Sequence, residues 1–234
     1  MTEEFHIAGH IFPALTDQHL VLLDIHADSY ILAGPDEKKV LENIIKNTAP
    51  QPGKTLTGLL EQNILTTDLD CALRTDGLRS PLSVEYLPAQ NERMRYSLDQ
   101  QRTEKPVNIL KLLWASAQTL VMRRFLPFDK MLAVVGKRKQ KSRHDTEENS
   151  SSQEIEDLLD FFRRYRVLFY TPKDHCLFDS LCLINFLALF NIFPDWVFAV
   201  RMGPFEAHCW VQNKQDLYND TLAHCGNFAP ILLL

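Results

Sequence analysis

Three residue types that can together activate a nucleophile occur in the order Cys176, His208, Asp220. A cysteine nucleophile must be ionised, an imidazole must hold its proton and return it to the leaving group, and a third group must orient the imidazole. We therefore predict Cys176 as the nucleophile, His208 as the base and Asp220 as the orienting acid. The alternative for Cys176 is a small buried apolar residue, which is the usual state of a free cysteine.

The sequence around Cys176 predicts the first turn of a buried helix. Residues 177–190 are apolar except at Asp179, Ser180 and Asn185, which is long enough for a helix that is covered on most sides. Asp174 precedes it as the expected N-cap. The unpaired N–H groups and the helix dipole at that end favour a thiolate over a thiol.

The candidate base lies in a segment that alternates like a strand. Over residues 205–213, His208 shares one face with Trp210, and Cys209 points to the apolar face. A three-residue loop and a second strand at residues 216–220 would place Asp220 directly opposite His208. Opposed Cβ atoms are about 4.5–5.5 Å apart, which predicts a carboxylate–imidazole hydrogen bond. A surface ion pair is the alternative.

Metal binding is the rival chemistry for this part of the chain. The candidate ligands are His175, Cys176, Cys182, His208, Cys209, His224 and Cys225. His208 and Cys209 fall on opposite faces of one strand, and Cys176 and Cys182 lie about 120° apart around a helix. No CxxC pair is present to anchor zinc. We therefore expect no metal and no cofactor.

The N-terminal part predicts a small module of three strands followed by short helices. The strands fall within residues 5–33, and helical spacing covers residues 36–46 and 56–63, a pattern typical of a winged helix. The second helical segment carries no Lys or Arg, which argues against a nucleic-acid partner. A polar stretch then predicts two domains, residues 1–92 and 104–234. Residues 137–153 contain no apolar residue and predict a flexible loop.

Composition excludes several classes of protein. The chain has 234 residues, a formal net charge of −5 and 45% hydrophobic residues, and this charge gives no general reason to expect nucleic acid or an anionic membrane as a partner. It lacks a secretory signal pattern and any run of about 18 apolar residues, so we expect a cytoplasmic protein without membrane insertion. Five cysteines, odd in number and widely spaced, predict free thiols.

Three motifs in the C-terminal part together carry a family resemblance. CLFDSLCL starts at Cys176, GPFEAHCWV contains His208, and LYND ends at Asp220. In this order and at these separations they resemble the lasso-peptide leader peptidases, the B proteins that process microcin-type precursors. The resemblance implies an α+β fold with a transglutaminase- or papain-like cysteine peptidase domain. It gives Cys176, His208 and Asp220 the roles of nucleophile, base and orienting acid.

The N-terminal module carries a second resemblance, through the phrase LLDIHADSYIL. It is similar to the PqqD-like precursor recognition element, which binds a leader peptide as an added strand beside its own third strand and against a helix. The resemblance implies an edge strand at residues 29–32 and a groove wall at residues 56–63. The implied leader-binding residues are Ser29, Tyr30, Ile31, Leu32, Leu56, Leu59 and Leu60.

The two resemblances together imply a leader peptidase that frees the core peptide's N-terminus for macrolactam formation. Its partners would be the precursor's leader and an asparagine-synthetase-like cyclase, through which any ATP requirement would enter. Asp179 and Gln212 depart from the family, which usually has Arg and Glu there. Two alternatives stay open: an acyltransferase with the same triad and another acyl substrate, and a non-catalytic scaffold that delivers the precursor.

Overall fold

The computed structural model describes residues 4–16, 18–72, 77–82, 86–93, 106–145, 152–168 and 176–234, which form a mixed α+β structure. The described strands are β1 (His6–Ile7), β2 (Ile11–Leu15), β3 (Leu20–Asp24), β4 (Ser29–Leu32), β5 (Leu65–Thr66), β6 (Asn91–Glu92), β7 (Asp195–Arg201), β8 (Glu206–Asn213), β9 (Asp216–Leu217) and β10 (Ala229–Leu233). The described helices are α1 (Pro35–Ile45), α2 (Lys54–Glu61), α3 (Leu69–Ala72), α4 (Pro106–Phe125), α5 (Phe128–Asp145), α6 (Ser152–Arg166), α7 (Cys176–Ala188) and α8 (Leu222–Cys225). None of these helices is long and apolar enough to cross a membrane.

The N-terminal sheet is an antiparallel meander of β2, β3 and β4, with β4 at one edge. The β3–β4 turn forms because the Asp24 carboxylate accepts N–H bonds from His26 (2.8 Å) and Ala27 (3.0 Å), and Asp28 adopts φ +50°. Helix α1 begins at Pro35, a residue whose fixed φ suits the first helical position. Three strands followed by α1 and α2 agree with the predicted order of elements; the winged-helix classification stays a prediction.

Strands β2 and β3 are buried on both faces of that sheet. One face, which includes Leu22, packs on α1 and α2 in an N-terminal core. The other face, which includes Phe12 and Leu23, packs into a main core shared with α4 to α7 and the C-terminal sheet. The two-domain division at residues 92 and 104 stays a prediction, because residues 94–105 lie outside the described part. The two units nevertheless share one continuous core.

The C-terminal sheet has the strand order β10-β7-β8-β9-β6, with β6 parallel to β9 and the other neighbours antiparallel. One face joins the main core, where α7 packs between β8 and α4. The opposite face forms a smaller cluster around Trp210 and Phe228. Strand β8 therefore meets the helix that begins at Cys176 on one side and this aromatic cluster on the other.

The prediction of a flexible loop at residues 137–153 is wrong for residues 137–145, which are helical. Residues 137–145 continue α5, and two of its basic side chains, Arg138 and Lys139, bond to residues of α7, to the start of β7 and to Leu234. Lys139 donates to the Asp195 carboxylate and to the backbone oxygens of Pro194 (3.1 Å) and Leu234 (3.0 Å). Arg138 donates to the Asn185 side-chain oxygen (3.0 Å). Residues 146–151 lie outside the described part, and α6 begins at Ser152.

The shared core predicts that the N-terminal sheet contributes to global stability. Leu23 is 1% exposed in the main core, so Leu23→Ala should lower the free energy of unfolding by about 2–5 kcal/mol. Leu32 on the neighbouring strand is 53% exposed, so Leu32→Ala should change it by only about 0.5 kcal/mol. Urea denaturation of the full chain measures both values. Equal effects of the two substitutions would show that the sheet does not depend on the main core.

Candidate active site

Helix α7 holds Cys176 at its described N-terminal end. The helix is anchored because residues 179–187 are buried on all sides and pack against β8 and α4, among other elements. Cys176 itself is half-buried at the edge of the main core. The predicted N-cap, Asp174, lies outside the described residues. At a helix N-terminus the first backbone N–H groups have no helical acceptors, and such an end suits a negatively charged sulfur.

Strand β8 places His208 on the face predicted for it. Cys209 and Val211 point into the main core, and Trp210 points into the smaller cluster. The His208 ring lies 6.0 Å from the Trp210 ring and 5.2 Å from the Phe228 ring. These aromatic rings limit the rotation of the His208 imidazole, while its Nε2 still contacts the Asp220 carboxylate.

Asp220 bonds to His208, but not through the strand pairing that the sequence predicted. Gln212 pairs with Leu217 rather than with Asp216, so the hairpin loop has two residues and β9 ends at Leu217. Asp220 lies in the turn before α8, where its Oδ2 contacts Nε2 of His208. Its Oδ1 accepts the Thr221 N–H at 2.7 Å, which fixes the carboxylate.

Cys176 and His208 stabilise each other's charged forms. Hydrogen bonds from Cys209 and from His208 outweigh burial and lower the pKa of Cys176 to about 4. Burial alone would lower the pKa of His208, but its hydrogen bonds to Asp220 and Cys176 raise it to about 9. The same bond to His208 outweighs burial and lowers the pKa of Asp220. The site at neutral pH is therefore a thiolate–imidazolium pair beside a carboxylate.

Cys209 is a contributor that sequence alternation did not assign to the site. Its thiol is buried, and burial together with the neighbouring Cys176 sulfur raises its pKa well above the ordinary value. It therefore remains protonated; its S–H donates to the Ser180 hydroxyl at 3.8 Å, and its interaction with Cys176 lowers the pKa of that sulfur. Alternation along the strand indicates only that its Cβ points to the apolar side, not which residues its sulfur contacts.

Asp179 is the centre of a buried polar network that joins the nucleophile's helix to the turn carrying Asp220. Arg166 on α6 donates from one Nη atom to both Asp179 oxygens, at 2.6 and 2.5 Å. Asn219 donates to Asp179 (2.9 Å) and Ser180 (3.1 Å), and its side-chain oxygen accepts the Val211 N–H (2.8 Å). Asp179, which stands where the motif resemblance implies Arg, thus has an ionic partner in Arg166.

Gln212, the second departure, also has a structural explanation. Its side-chain oxygen accepts the Trp210 indole N–H at 2.7 Å, and its nitrogen donates to the backbone oxygens of Leu87 (3.0 Å) and Lys214 (2.8 Å). These bonds satisfy a buried amide and attach residues near β6 to the hairpin. Gln212 does not bond to the triad in any of them.

The residues implied for leader binding divide into two groups. Ser29, Tyr30, Ile31 and Leu32 form the edge strand β4. Leu56 and Leu59 are instead buried in the N-terminal core, and Leu60 is half-buried against it. The predicted groove wall is therefore wrong for Leu56 and Leu59, because these side chains already pack beneath the sheet.

Tyr30 brings strand β4 close to the catalytic residues. Its ring lies edge-on to the Phe205 ring at 5.4 Å, three residues before His208 in the chain. Tyr30 packs against the main core, as does Cys176. Burial raises the pKa of Tyr30, and the nearby charges of Asp28 and the Cys176 thiolate raise it further. The N-terminal unit therefore borders the site that the C-terminal unit builds.

A second histidine contacts the triad carboxylate. His224 Nδ1 lies 3.2 Å from Oδ1 and 3.1 Å from Oδ2 of Asp220, and its ring centroid is 4.6 Å from that of His208. His208, Asp220 and His224 offer ligand atoms that all lie within 4.8 Å of one another. The i,i+4 spacing of Asp220 and His224 was a sequence signal for this contact, but it needed the start of α8 to be recognised.

This arrangement has the parts required for acyl transfer through a thioester. It supplies an ionised sulfur at a helix start, an imidazolium to protonate a leaving group, and a carboxylate to hold the ring. Residues 118–233, which contain all three, match the transglutaminase-like superfamily. The C-terminal part of the chain is therefore similar to transglutaminase-like domains, a fold whose members are usually cysteine-dependent enzymes. No curated protein and no solved structure matches the chain.

The lowered pKa of Cys176 predicts selective alkylation at mildly acidic pH. Since its thiolate persists down to about pH 4, iodoacetamide should modify Cys176 at pH 6. Cys71 is an internal control, because it is exposed but its hydrogen bond to Asp68 raises its pKa, so it should react only at alkaline pH. Peptide mass mapping across pH gives both profiles.

A His208→Ala substitution should move the alkylation profile of Cys176 to higher pH, because one hydrogen-bond donor and one positive charge are lost. The assignment fails if Cys176 and Cys71 gain reactivity in parallel as pH rises.

Proposed function

We propose that the chain is a cysteine peptidase that cleaves the leader from a lasso-peptide precursor. The observation that carries the proposal is the Cys176–His208–Asp220 arrangement beside a free sheet edge. The site supplies the cleavage chemistry, and the edge offers a place for an extended peptide. The motif resemblance supplies the substrate class, and the expected cytoplasmic location is part of the same proposal.

The cleavage begins with attack of the Cys176 thiolate on the scissile carbonyl carbon. Because Nε2 of His208 is held by Asp220, the other ring nitrogen, Nδ1, faces the sulfur. As the carbon–sulfur bond forms, the carbonyl oxygen becomes an oxyanion that backbone N–H groups at the start of α7, that of Cys176 included, are placed to stabilise. His208 then gives its proton to the departing amine, which is the new N-terminus of the core peptide.

Hydrolysis of the acyl-enzyme completes the reaction. His208, now neutral, takes a proton from water, and the resulting hydroxide attacks the thioester carbon. The carbon–sulfur bond breaks, the leader leaves with a free carboxylate, and Cys176 returns to the thiolate. Asp220 stays ionised throughout and holds the ring, which agrees with its lowered pKa.

The outer edge of β4 has the hydrogen-bonding groups that strand addition requires. The Ala33 N–H bonds to the Leu20 oxygen at 3.0 Å, so residues 29, 31 and 33 direct their backbone groups to β3. Tyr30 and Leu32 therefore direct theirs away from β3, and no backbone hydrogen bond joins them to another residue in the described part of the chain. A leader bound there would pass Tyr30 on its way to Cys176.

Two alternatives keep the same site but change its outcome. An acyltransferase would pass the acyl group from Cys176 to an amine instead of water. A delivery scaffold would bind the precursor without cleaving it and present it to the asparagine-synthetase-like cyclase, which we also propose as the peptidase's partner. The charged thiolate–imidazolium pair favours catalysis over a scaffold, and the free edge strand favours a peptide substrate.

Replacing the nucleophile should abolish cleavage. The test incubates a synthetic lasso-peptide precursor with wild type or Cys176→Ala, with and without the cyclase and ATP, and reads the products by mass. Cys176→Ala should lower the rate by about 10³-fold or more, because no acyl-enzyme can form. Cys71→Ala, which removes an exposed thiol elsewhere, should cleave at the wild-type rate.

Cleavage at the same bond by Cys176→Ala would contradict the nucleophile assignment. A leader product that carries an added amine would indicate the acyltransferase. Binding without cleavage by wild type under every condition would indicate the scaffold.

Removing one outward-facing donor of β4 should weaken leader binding. Leu32→Pro deletes an N–H that makes no bond within the sheet, and its ring obstructs an added strand. We expect a loss of about tenfold or more in affinity for a fluorescent synthetic leader, measured by anisotropy.

The matched variant Leu32→Ala keeps the N–H and should lose less affinity than Leu32→Pro. Urea denaturation of both variants checks that the sheet is intact. Equal leader affinity in the two variants would exclude strand addition at this edge.

A further inference from the structure

The carboxylate of Asp220 is shared by two imidazoles, which is more than orientation of one base requires. His208 Nε2 contacts Oδ2, and His224 Nδ1 lies 3.1 Å from the same oxygen. His224 is held in place by Phe228, whose ring lies 5.3 Å away, and by the Thr221 side chain, which accepts the His224 backbone N–H at 3.3 Å. One potential ligand atom thus comes from β8, and two come from the turn and helix α8 that follow β9.

The spacing and chemistry of these atoms suit a transition-metal ion. A tetrahedral Zn²⁺ binds imidazole nitrogen and carboxylate oxygen at about 2.0–2.2 Å, which places its ligand atoms about 3.3 Å apart. The three atoms here all lie within 4.8 Å of one another, and the Asp220–His224 separation is 3.1 Å. Two imidazoles and one carboxylate leave the fourth position open, and the His224 side chain is 41% exposed, which gives an ion access.

We propose that His208, Asp220 and His224 form a binding site for a divalent transition metal of the zinc type. Each coordinating nitrogen gives up the proton with which it faces Asp220, and these protons leave to solvent. The ion takes the place of the two hydrogen bonds on the carboxylate. Metal binding itself does not depend on the proposed peptidase activity.

A regulatory consequence follows if the proposed function holds. Coordination at Nε2 holds His208 neutral, with its remaining proton on the nitrogen that faces Cys176. The imidazolium that stabilises the thiolate and protonates the leaving amine is then lost. The bound ion is therefore a reversible inhibitor, and a chelator restores activity.

A competing arrangement uses the thiolate instead. Cys176 and the other ring nitrogen of His208 could hold an ion between them, as any thiolate–imidazole pair can. The two arrangements differ in their dependence on Cys176 and His224, which allows a clear experimental separation.

The test is calorimetric titration of ZnCl₂ into the reduced full-length chain in a non-chelating buffer. We expect one site per chain in wild type and the same affinity, within about threefold, in Cys176→Ala. His224→Ala should bind about tenfold more weakly or worse, because a ligand is lost. His19→Gln is the matched control, since the described contacts of His19 are made through its backbone, and it should bind like wild type.

Three outcomes would overturn the proposal: no binding to wild type, loss of binding in Cys176→Ala with retention in His224→Ala, or equal weakening by His224→Ala and His19→Gln. Cobalt substitution gives an independent check. The proposed ligand set predicts a visible d–d spectrum in Cys176→Ala that lacks a sulfur charge-transfer band, and that is lost in His224→Ala. Neither measurement uses peptidase activity, so a failure here leaves the proposed cleavage to be judged by its own assay.

Discussion

The geometry of the candidate site depends on one half-buried amide, Asn219, which connects the helix of Cys176 to the turn that carries Asp220. Its nitrogen bonds to α7 at Asp179 and Ser180, and its oxygen bonds to the β8 backbone at Val211. Asp220, the next residue, can then reach His208 only from one direction. Arg166 balances the buried charge of Asp179, since an unpaired carboxylate in the interior would be strongly destabilising. The network fixes three elements relative to one another without touching the reacting atoms.

The N-terminal sheet is part of this construction rather than an attachment to it. Strand β3 is covered on one face by α1 and α2 and on the other by the main core. This double burial fixes β4, its hydrogen-bonded neighbour, and so fixes the distance between the free edge and the catalytic residues. A flexible linker between the two units would raise the local concentration of a bound peptide near Cys176 only on average. A shared core instead holds the β4 edge at one fixed position relative to the Cys176 sulfur.

Much of the site could be predicted from local sequence, and the failures have identifiable causes. Alternation along β8 gave the face of His208, and helical spacing placed Cys176 at the start of α7, since both depend on neighbouring residues alone. The register of the β8–β9 hairpin was off by one because loop length cannot be counted without knowing where the first strand ends. The observed Asp220–His208 contact is instead positioned by the hydrogen bonds of Asn219 to α7 and β8, which are tertiary contacts that a local sequence pattern does not predict.

Long-range partners explain the other differences. Residues 137–145 have no apolar side chain, yet they stay helical because Lys139 meets Asp195 and the Leu234 backbone oxygen, more than fifty residues away. Leu56 and Leu59 have the spacing of a groove wall, but the spacing does not say which side of the sheet the helix covers. The resemblance to a recognition element implies that α2 is a groove wall. In the structure, Leu56 and Leu59 of α2 instead face the N-terminal core.

The face of β2 and β3 that packs on the main core has a consequence for engineering. An N-terminal fragment cut from this chain would expose Phe12, Ala14, Val21 and Leu23 to water, and the C-terminal part left behind would lose their cover. Fusing this fragment to another protein would therefore require a redesigned polar surface. The same patch could instead let two separately expressed halves assemble into one working molecule.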